Sequence, residues 1–265
     1  MTKSIAVAGK GGTGKSTIVA MIVCSLVDRG LGPVLAVDAD PDCNLATLLG
    51  RTPQRTIGDL RDDLLKEIKN FPAGMTKANY IEKGLHEIIE EAEGYDLITM
   101  GKGEGASCYC YINSLIRKFC DDLAPSYRWL VIDNEAGLEH LSRRTTVDIE
   151  GLVTVVNENP LSFDCARQIE EITREMKDRI AQNYLVTNMI KEERKTRVHQ
   201  RAARLDMELV CDVPYSPELE ETIFLGESVG KRIGDPAMDC INRIINRIGG
   251  ENGSSRTEGE LEKQD

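Results

Sequence analysis

The chain has 265 residues, of which 41% are hydrophobic and 29% are charged, as in an ordinary globular protein. Only 5% are aromatic, which argues against a protein that binds RNA or single strands on aromatic platforms. The formal net charge of −11 disfavours non-specific binding to nucleic acid. The length allows one large α/β domain or two small ones.

The first residues lack the basic and apolar segments of a signal peptide. The longest apolar run, residues 18–27, is interrupted by Ser25 and is too short to span a membrane. These features predict a cytoplasmic protein with no membrane partner. In that reducing compartment the eight cysteines are not expected to form a disulfide framework. Most are predicted to pack as small buried side chains, among them Cys24, Cys165, Cys211 and Cys240.

Short apolar strands and helical stretches alternate along the chain. In chain order, the prediction is a strand over 4–8, a helix over 15–28, a strand over 34–37, a helix over 82–92, a strand over 96–100, a helix over 108–123 and a strand over 129–132. There follow a strand over 152–156, a helix over 161–180, a strand over 184–186, a helix over 193–205, a strand over 208–211 and a helix over 236–248. This alternation predicts an α/β fold with a mostly parallel central sheet and helices on both faces.

Residues 1–249 are predicted to form a single domain, because no linker rich in Pro, Gly or Ser divides them. Residues 52–76 form the least regular stretch and are predicted to be a surface insertion. Residues 250–265 are polar and predict a disordered acidic tail.

A glycine-rich loop follows the first strand and opens the first helix. It fits the pattern GxxxxGK[ST] in the strand–loop–helix context of a P-loop NTPase. Backbone N–H groups of such a loop, together with the helix N-terminus, bind phosphate oxygens. Lys15 is predicted to reach the β- and γ-phosphates in a catalytic role, and the Ser16 hydroxyl to bind Mg²⁺. The predicted ATP-binding residues of the loop are Gly9, Lys10, Gly11, Gly12, Thr13, Gly14, Lys15, Ser16 and Thr17.

Two predicted strands lead into acidic residues. Asp38 and Asp40 follow the strand over 34–37, and Asp133 follows the strand over 129–132. Carboxylates at the C-terminal ends of parallel strands face the ligand crevice, where they can hold the waters of Mg²⁺ or orient an attacking water. Asp133 fits a Walker B pattern and is predicted to bind Mg²⁺ through water. The alternative for Asp38 and Asp40 is a capped turn before a helix at Asn44.

Two later strands are predicted to lead to the base of the nucleotide. Asn188 follows the strand over 184–186 and could bind adenine, and Pro214 follows the strand over 208–211 and could line the base. Either position could equally be a plain turn at the end of a strand.

Cys108 and Cys110 form the one CxC motif of the chain. Two thiolates this close can share one soft metal ion, but they supply only half of the four ligands that a stable Zn²⁺ or Ni²⁺ site usually has. A two-fold dimer would bring two such pairs together. The alternative is a pair of structural cysteines at the start of a helix.

The string GKGGTGKS resembles the deviant Walker motif of the MinD, ParA and nitrogenase iron-protein class of ATPases. This resemblance implies a homodimer that encloses nucleotide, with Lys10 reaching the nucleotide of the partner subunit. It also implies that Asp40 positions the attacking water and that Asp38 supports the metal side of the site.

The strings GEGASCYCYINSLIRKF and VIDNEAGLEHLSRRTT resemble the CooC/AcsF family, which assists nickel insertion into carbon monoxide dehydrogenase and acetyl-CoA synthase. The resemblance implies that Cys108 and Cys110 bind Ni²⁺, or Zn²⁺, at a dimer interface. It implies a nickel enzyme as client and ATP or ADP with Mg²⁺ as cofactors.

Two other functions fit parts of the sequence. The first is an iron–sulfur electron-transfer ATPase of the nitrogenase iron-protein type, but the cluster ligands there lie on separate loops and Cys108 and Cys110 are too close together. The second is a positioning switch like MinD or ParA. Against it, the terminal helix over 236–248 is followed by an acidic tail rather than the basic surface that membrane or DNA binding requires.

Overall fold

The computed structural model describes residues 2–67, 77–101, 121–134, 148–176, 178–232 and 234–250. Its centre is an eight-stranded sheet in the order β3-β4-β2-β5-β1-β6-β7-β8. The strands are β1 Lys3–Gly9, β2 Val34–Asp38, β3 Glu90–Ala92, β4 Tyr95–Thr99, β5 Trp129–Asp133, β6 Ile149–Val156, β7 Ile180–Asn188 and β8 Glu208–Val213. Every neighbouring pair is parallel except β3 with β4.

Helices cover both faces of this sheet. They are α1 Lys15–Asp28, α2 Asn44–Leu48, α3 Ile57–Glu67, α4 Lys77–Glu87, α5 Pro160–Glu175, α6 Glu192–Ala202, α7 Pro217–Phe224 and α8 Pro236–Gly249. Alternate residues of β1 enter different clusters: Ile5 and Val7 pack with α1 and α8, whereas Ala6 and Ala8 pack with α3 and α5. A strand with two buried faces has to be apolar throughout, which explains the continuous apolar runs. The predicted α/β architecture is therefore confirmed.

The predicted helix over 161–180 is wrong at its C-terminal end. The Asn159 side chain caps the start of α5 by accepting from the Leu161 N–H, and the helix ends at Glu175. Ile180 instead opens β7 and pairs with Ile149 of β6. The sequence pattern missed this boundary because an apolar residue at position 180 satisfies a helical period and a strand equally well.

Two predictions near the β3 edge of the sheet also need correction. The helix predicted over 82–92 ends at Glu87, and residues 90–92 form β3, which pairs antiparallel with β4. The predicted insertion over 52–76 contains α3, whose Ile57 and Leu60 are buried against the sheet. Much of the predicted helix over 108–123 lies outside the described residues.

Cys211 and Cys240 form a disulfide, which corrects the expectation that both are free packing thiols. Their Cα atoms are 5.8 Å apart, within the range that a disulfide bridges. The bond links β8 to α8 across 29 residues of chain. Such a pair cannot be read from sequence spacing, because it depends on α8 packing against β8. Cys24 and Cys165, by contrast, are half-buried free thiols that pack at the edge of the core.

In the part of the chain that the structure describes, we find no helix with the length and apolar character needed to cross a membrane.

Candidate functional site

The loop between β1 and α1 is shaped by glycines at positions that other residues could not occupy. Gly9 has φ +145°, and a Cβ atom there would lie 2.4 Å from the Val155 carbonyl oxygen of the neighbouring strand. Gly14 has φ +87°, and its Cβ would lie 2.3 Å from Nδ2 of Asn188. The Thr13 hydroxyl donates to the Lys10 carbonyl at 2.8 Å and tightens the turn between them. These close approaches and the Thr13 hydrogen bond define the shape of the loop.

The start of α1 is prepared to receive an anion. Within the described residues no side chain caps its first turn, so its free N–H groups point out of the helix beside the loop. Lys15 lies in this first turn and is buried, while Gly11 and Gly12 at the top of the loop are exposed. This arrangement suits a phosphate chain that enters from solvent and meets the Lys15 ammonium at its inner end.

Asp38 and Asp133 lie side by side at the C-terminal edge of the sheet. They are register partners on β2 and β5, and both are fully buried. Burial, together with the neighbouring Asp133 carboxylate, raises the pKa of Asp38 to about 7. Burial also raises the pKa of Asp133 to about 6, although the Ser16 hydroxyl and the Lys15 ammonium oppose the shift. Two desolvated carboxylates are therefore held close together beside the P-loop.

The two carboxylates differ in what they bind. Oδ1 of Asp38 accepts from the Asp40 N–H at 3.1 Å, and Oδ2 accepts from the Leu45 N–H at 3.0 Å. Asp38 thus fixes the turn that leads to α2, as the capped-turn alternative predicts. Among the described residues, neither oxygen of Asp133 receives a hydrogen bond of normal geometry. A buried carboxylate without a partner is costly, and a cation beside it would remove the cost.

This environment fits Mg²⁺. Asp133 supplies an unpaired anionic oxygen, Ser16 supplies a hydroxyl close to it, and hard oxygen donors are what Mg²⁺ prefers. Among the residues that the structure places, no group of three or more His, Cys, Asp or Glu could hold a metal by itself. Mg²⁺ usually keeps waters and substrate phosphates as its other ligands, so it needs only one or two ligands from the protein.

Asp40 lies in the turn after β2. Its charge raises the pKa of both Asp38 and Asp133, which places the three carboxylates near one another. Oδ1 of Asp40 accepts from the Asp42 N–H at 3.0 Å. Asp40 is only half-buried, unlike the two carboxylates behind it. It is positioned to contact solvent at the mouth of the site, and its predicted role towards water remains a prediction.

Lys10 and Lys15 both influence one thiol. Burial raises the pKa of Cys165 on α5, and the positive charges of Lys15 and Lys10 oppose that rise. Lys10 is half-buried at the start of the loop. The charges of both lysines therefore lie near the same thiol of α5. The contact of Lys10 with the nucleotide of a partner subunit stays a prediction.

A cavity of about 150 Å³ opens beside the P-loop, where the base of a nucleotide would lie. Drug-sized ligands need about 300–1,000 Å³, so this cavity suits a single heterocycle. Asn188 and Pro214, the two predicted base-binding residues, both line it. Nδ2 of Asn188 donates to the Thr13 carbonyl at 2.9 Å, which joins the cavity to the P-loop. Other lining residues include Gly14, Thr17 and Tyr215.

Asn157 is a site residue that the sequence prediction missed. It follows β6, and its Nδ2 lies 3.5 Å from the Gly12 carbonyl of the P-loop. Its position after a parallel strand was the available signal, because all such strand ends meet at one edge of the sheet.

Cys108 and Cys110 lie outside the described residues. The segment that contains them begins directly after Gly101, which follows β4 at the same edge as Asp38. The Met100 N–H donates to the Asp38 carbonyl at 2.8 Å. The segment therefore leaves the sheet next to the carboxylates, and Cys108 is seven residues away from Gly101, a span of at most about 25 Å.

The raised pKa of Asp38 gives a prediction for stability against pH. Between its unfolded value of 3.8 and its folded value of about 7, the folded protein retains a proton that the unfolded chain has lost. Asp38 therefore destabilises the protein increasingly as pH rises through this window, by about 1.4 kcal/mol per pH unit. We expect the free energy of unfolding of Asp38→Asn to fall less steeply between pH 5 and about pH 7. Urea unfolding at several pH values measures the slope, and parallel slopes for the two proteins would contradict the assignment.

A glycine-rich loop at a helix N-terminus, a buried carboxylate beside it and a small cavity for a base define a P-loop ATPase. Residues 4–264 match the CobQ/CobB/MinD/ParA nucleotide-binding domain family. The chain belongs to this family.

Two curated relatives and two solved structures illustrate the match. The chain is 38% identical to the ATP-binding protein MJ0685 of Methanocaldococcus jannaschii, over 90% of this chain and 98% of the relative. It is 33% identical to the carbon monoxide dehydrogenase accessory protein CooC of Rhodospirillum rubrum, over 65% and 69%. Among structures, the MinC:MinD cell division complex of Aquifex aeolicus matches with TM-score 0.71 and 21% identity, over 98% and 100%. A ParA family ATPase of Chlorobium tepidum matches with TM-score 0.68 and 18% identity, over 94% and 99%.

Proposed function

We propose that this ATPase is a nickel chaperone that serves the maturation of carbon monoxide dehydrogenase or acetyl-CoA synthase in the cytoplasm. The observation that carries the proposal is the Cys108-Tyr109-Cys110 motif in a chain that is 33% identical to a carbon monoxide dehydrogenase accessory protein. Residues 1–249 would be the ATPase domain and residues 250–265 an acidic tail.

The nucleotide half of the proposal uses the side chains at the sheet edge. The P-loop N–H groups and Lys15 would bind the phosphates, and the cavity beside Asn188 and Pro214 would take the adenine. Bound Mg²⁺ at Ser16 and Asp133 would neutralise phosphate charge during hydrolysis. Asp40 would orient the attacking water from the mouth of the site, while Asp38 holds the turn that carries Asp40.

The metal half of the proposal requires a dimer. One chain supplies two thiolates, and a four-coordinate Ni²⁺ or Zn²⁺ site needs two more ligands from a second copy. Lys10 would reach the nucleotide of that copy, so ATP binding would favour the closed dimer. The CxC segment departs from the sheet beside Asp38, so closure at the nucleotide and assembly of the thiolate site would be linked. Hydrolysis would then reset the dimer and release Ni²⁺ to the client enzyme.

Nickel titration tests the proposal. With a non-hydrolysable ATP analogue present, we expect about one Ni²⁺ per dimer for the wild type and an affinity at least about 100-fold weaker for Cys108→Ser/Cys110→Ser, because the soft ligands are gone. Isothermal titration combined with gel filtration reports the metal count and the oligomeric state together.

Cys165→Ser is the matched control, since it removes a half-buried thiol near the P-loop and leaves the CxC motif intact. It should bind Ni²⁺ as the wild type does. Equal affinity and stoichiometry for the wild type and the double variant would end the metal proposal and leave the ATPase assignment standing.

A second candidate is a nucleotide switch of the MinD or ParA kind that acts through a protein partner. The observation that favours it is an apolar surface at the end of α7, where Phe224 is 82% exposed and Leu225 59% exposed. Exposed apolar residues in a row often mark protein contacts. If Phe224→Ser abolishes both binding to a nickel enzyme and nickel transfer, this apolar surface serves the nickel chaperone. If the wild-type protein binds no nickel, the nucleotide switch is favoured.

A further inference from the structure

A basic groove lies between α5 and α6, on a protein whose formal charge is −11. It is a cavity of about 410 Å³ with three arginines in its walls: Arg167 from α5, Arg201 from the last turn of α6, and Arg204 from the turn that follows α6. Phe163 and Leu205 form its apolar floor. We call it the arginine groove. It is separate from the P-loop and from the base cavity, because none of its lining residues lines that cavity.

The positive charge of the groove is only partly balanced. Arg167 pairs with Asp164 at 3.0 Å. Asp206, the acidic residue that follows Leu205, lies 3.6 Å from Arg174. Within the described ranges, the guanidinium groups of Arg201 and Arg204 have no ion pair and donate no hydrogen bond. Guanidinium groups bind carboxylates through two parallel N–H donors. Arg201 and Arg204 are therefore suited to bind carboxylates from a segment outside the described residues.

The chain itself contains a matching anionic segment. Residues 251–265 carry five acidic residues against two basic ones. Three of these acids alternate, at Glu258, Glu260 and Glu262, and Leu261 lies among them. In an extended chain, alternate side chains project to the same side about 7 Å apart, so the three carboxylates can face one row of arginines.

The tail starts close to the groove. In the last turn of α8, Arg247 pairs with Glu208 at 2.8 Å, and Glu208 is only four residues after Arg204. The fifteen residues from 251 to 265 can extend about 50 Å. The distance from the end of α8 to the groove is therefore well within reach of the alternating acids.

We propose that the acidic tail, residues 251–265, docks in the arginine groove and pairs Glu258, Glu260 and Glu262 with Arg201 and Arg204. Charge complementarity and the short path from Arg247 select this segment as the occupant. The tail is also tethered, which raises its effective concentration at the groove to about the millimolar range. The proposal does not depend on nickel or on the function of the CxC motif.

Arginine footprinting of the full chain tests the docking. Phenylglyoxal modifies accessible guanidinium groups, and peptide mass spectrometry measures the rate at each arginine. We expect Arg201 and Arg204 to react at least about threefold more slowly in the full chain than in a chain ending at Gly250, because paired guanidinium groups are shielded. Arg243, exposed on α8, serves as the internal control and should react equally in both chains.

Two further conditions separate docking from a change in folding. Glu258→Gln/Glu260→Gln/Glu262→Gln in the full chain should give the same fast reaction as truncation, and 0.5 M salt should remove the protection, since screening weakens exposed pairs. Equal rates for the full and truncated chains would overturn the proposal. Protection that survives the triple substitution would overturn it as well, because the carboxylates would not be its cause. If Arg201 and Arg204 are protected from phenylglyoxal only when an acidic peptide from another protein is added, the groove binds that partner, and docking of the tail is contradicted.

Discussion

Asp133→Asn is expected to reduce ATP hydrolysis by about 10²-fold or more and at the same time to stabilise the nucleotide-free protein. The loss of activity follows from removing the anionic oxygen nearest the predicted Mg²⁺ position. The gain in stability follows from the environment of the same carboxylate, which is fully buried and receives no hydrogen bond of normal geometry within the described residues.

The size of the stability gain comes from the raised pKa of Asp133. A pKa of about 6 against the ordinary 3.8 corresponds to roughly 3 kcal/mol of destabilisation above pH 7. The buried asparagine amide needs hydrogen bonds of its own and offsets about half of this. We therefore expect the free energy of unfolding at pH 8 to rise by about 1–2 kcal/mol.

Urea unfolding and a phosphate-release assay at saturating Mg²⁺ measure the two effects. Asp96→Asn is the matched control. Asp96 lies near the N-terminal end of β4, away from the P-loop, and accepts a hydrogen bond from the Tyr127 hydroxyl. It should leave ATP hydrolysis unchanged. If Asp133→Asn hydrolyses ATP normally, the metal assignment of Asp133 is wrong; if it unfolds more easily, the carboxylate has a structural partner that we have not identified.

The sequence pattern was sufficient to predict those parts of the site that are formed by residues close together in the chain. The P-loop, the start of α1 at Lys15 and the carboxylates after β2 and β5 all follow from a strand, a loop and the next residues. Parallel strands end at one edge, so these short segments meet without further information. For the same reason, Asn188 and Pro214 line one cavity beside the P-loop, and their contact with a base stays a prediction.

Features made by distant segments could not be predicted in this way. The hydrogen bond from Asn188 to the Thr13 carbonyl joins residues 175 positions apart, and the disulfide joins Cys211 to Cys240 only because α8 packs on β8. The arginine groove likewise requires α5 and α6 to be neighbours. The boundary at Ile180 was predicted wrongly for a different reason. The apolar pattern is ambiguous there, and pairing of β7 with β6, in which Ile180 lies opposite Ile149, decides between helix and strand.

Lys10→Ala is expected to lower ATP hydrolysis at least about 10²-fold while leaving nucleotide binding to the isolated chain almost unchanged. The reason is that Lys15, the P-loop N–H groups and the cavity beside Asn188 would provide the contacts to nucleotide within one chain. The lysine at position 10 would contribute only when it neutralises phosphate charge on the nucleotide of a partner subunit. Fluorescent nucleotide binding and steady-state hydrolysis separate the two effects.

Mixing two inactive variants decides whether Lys10 acts within its own chain or across a dimer. Asp40→Ala is expected to bind ATP and to retain Lys10, but to lack the residue predicted to orient water. A mixed dimer then contains one complete site, in which the Lys10→Ala chain supplies Asp40 and the Asp40→Ala chain supplies Lys10. Random pairing of equal amounts makes half the dimers mixed, each with one working site, so about a quarter of the wild-type activity should return.

The recovered activity is diagnostic because each alternative predicts a different value. If Lys10 acts within its own chain, each mixed dimer carries two defective sites and the mixture stays as inactive as its components. Substituting Arg for Lys at position 10 provides a second check, since a guanidinium retains the charge and should recover part of the activity. A mixture without recovery, together with normal dimer formation in gel filtration, would remove the contact across subunits on which the coupling between nucleotide and the CxC site depends.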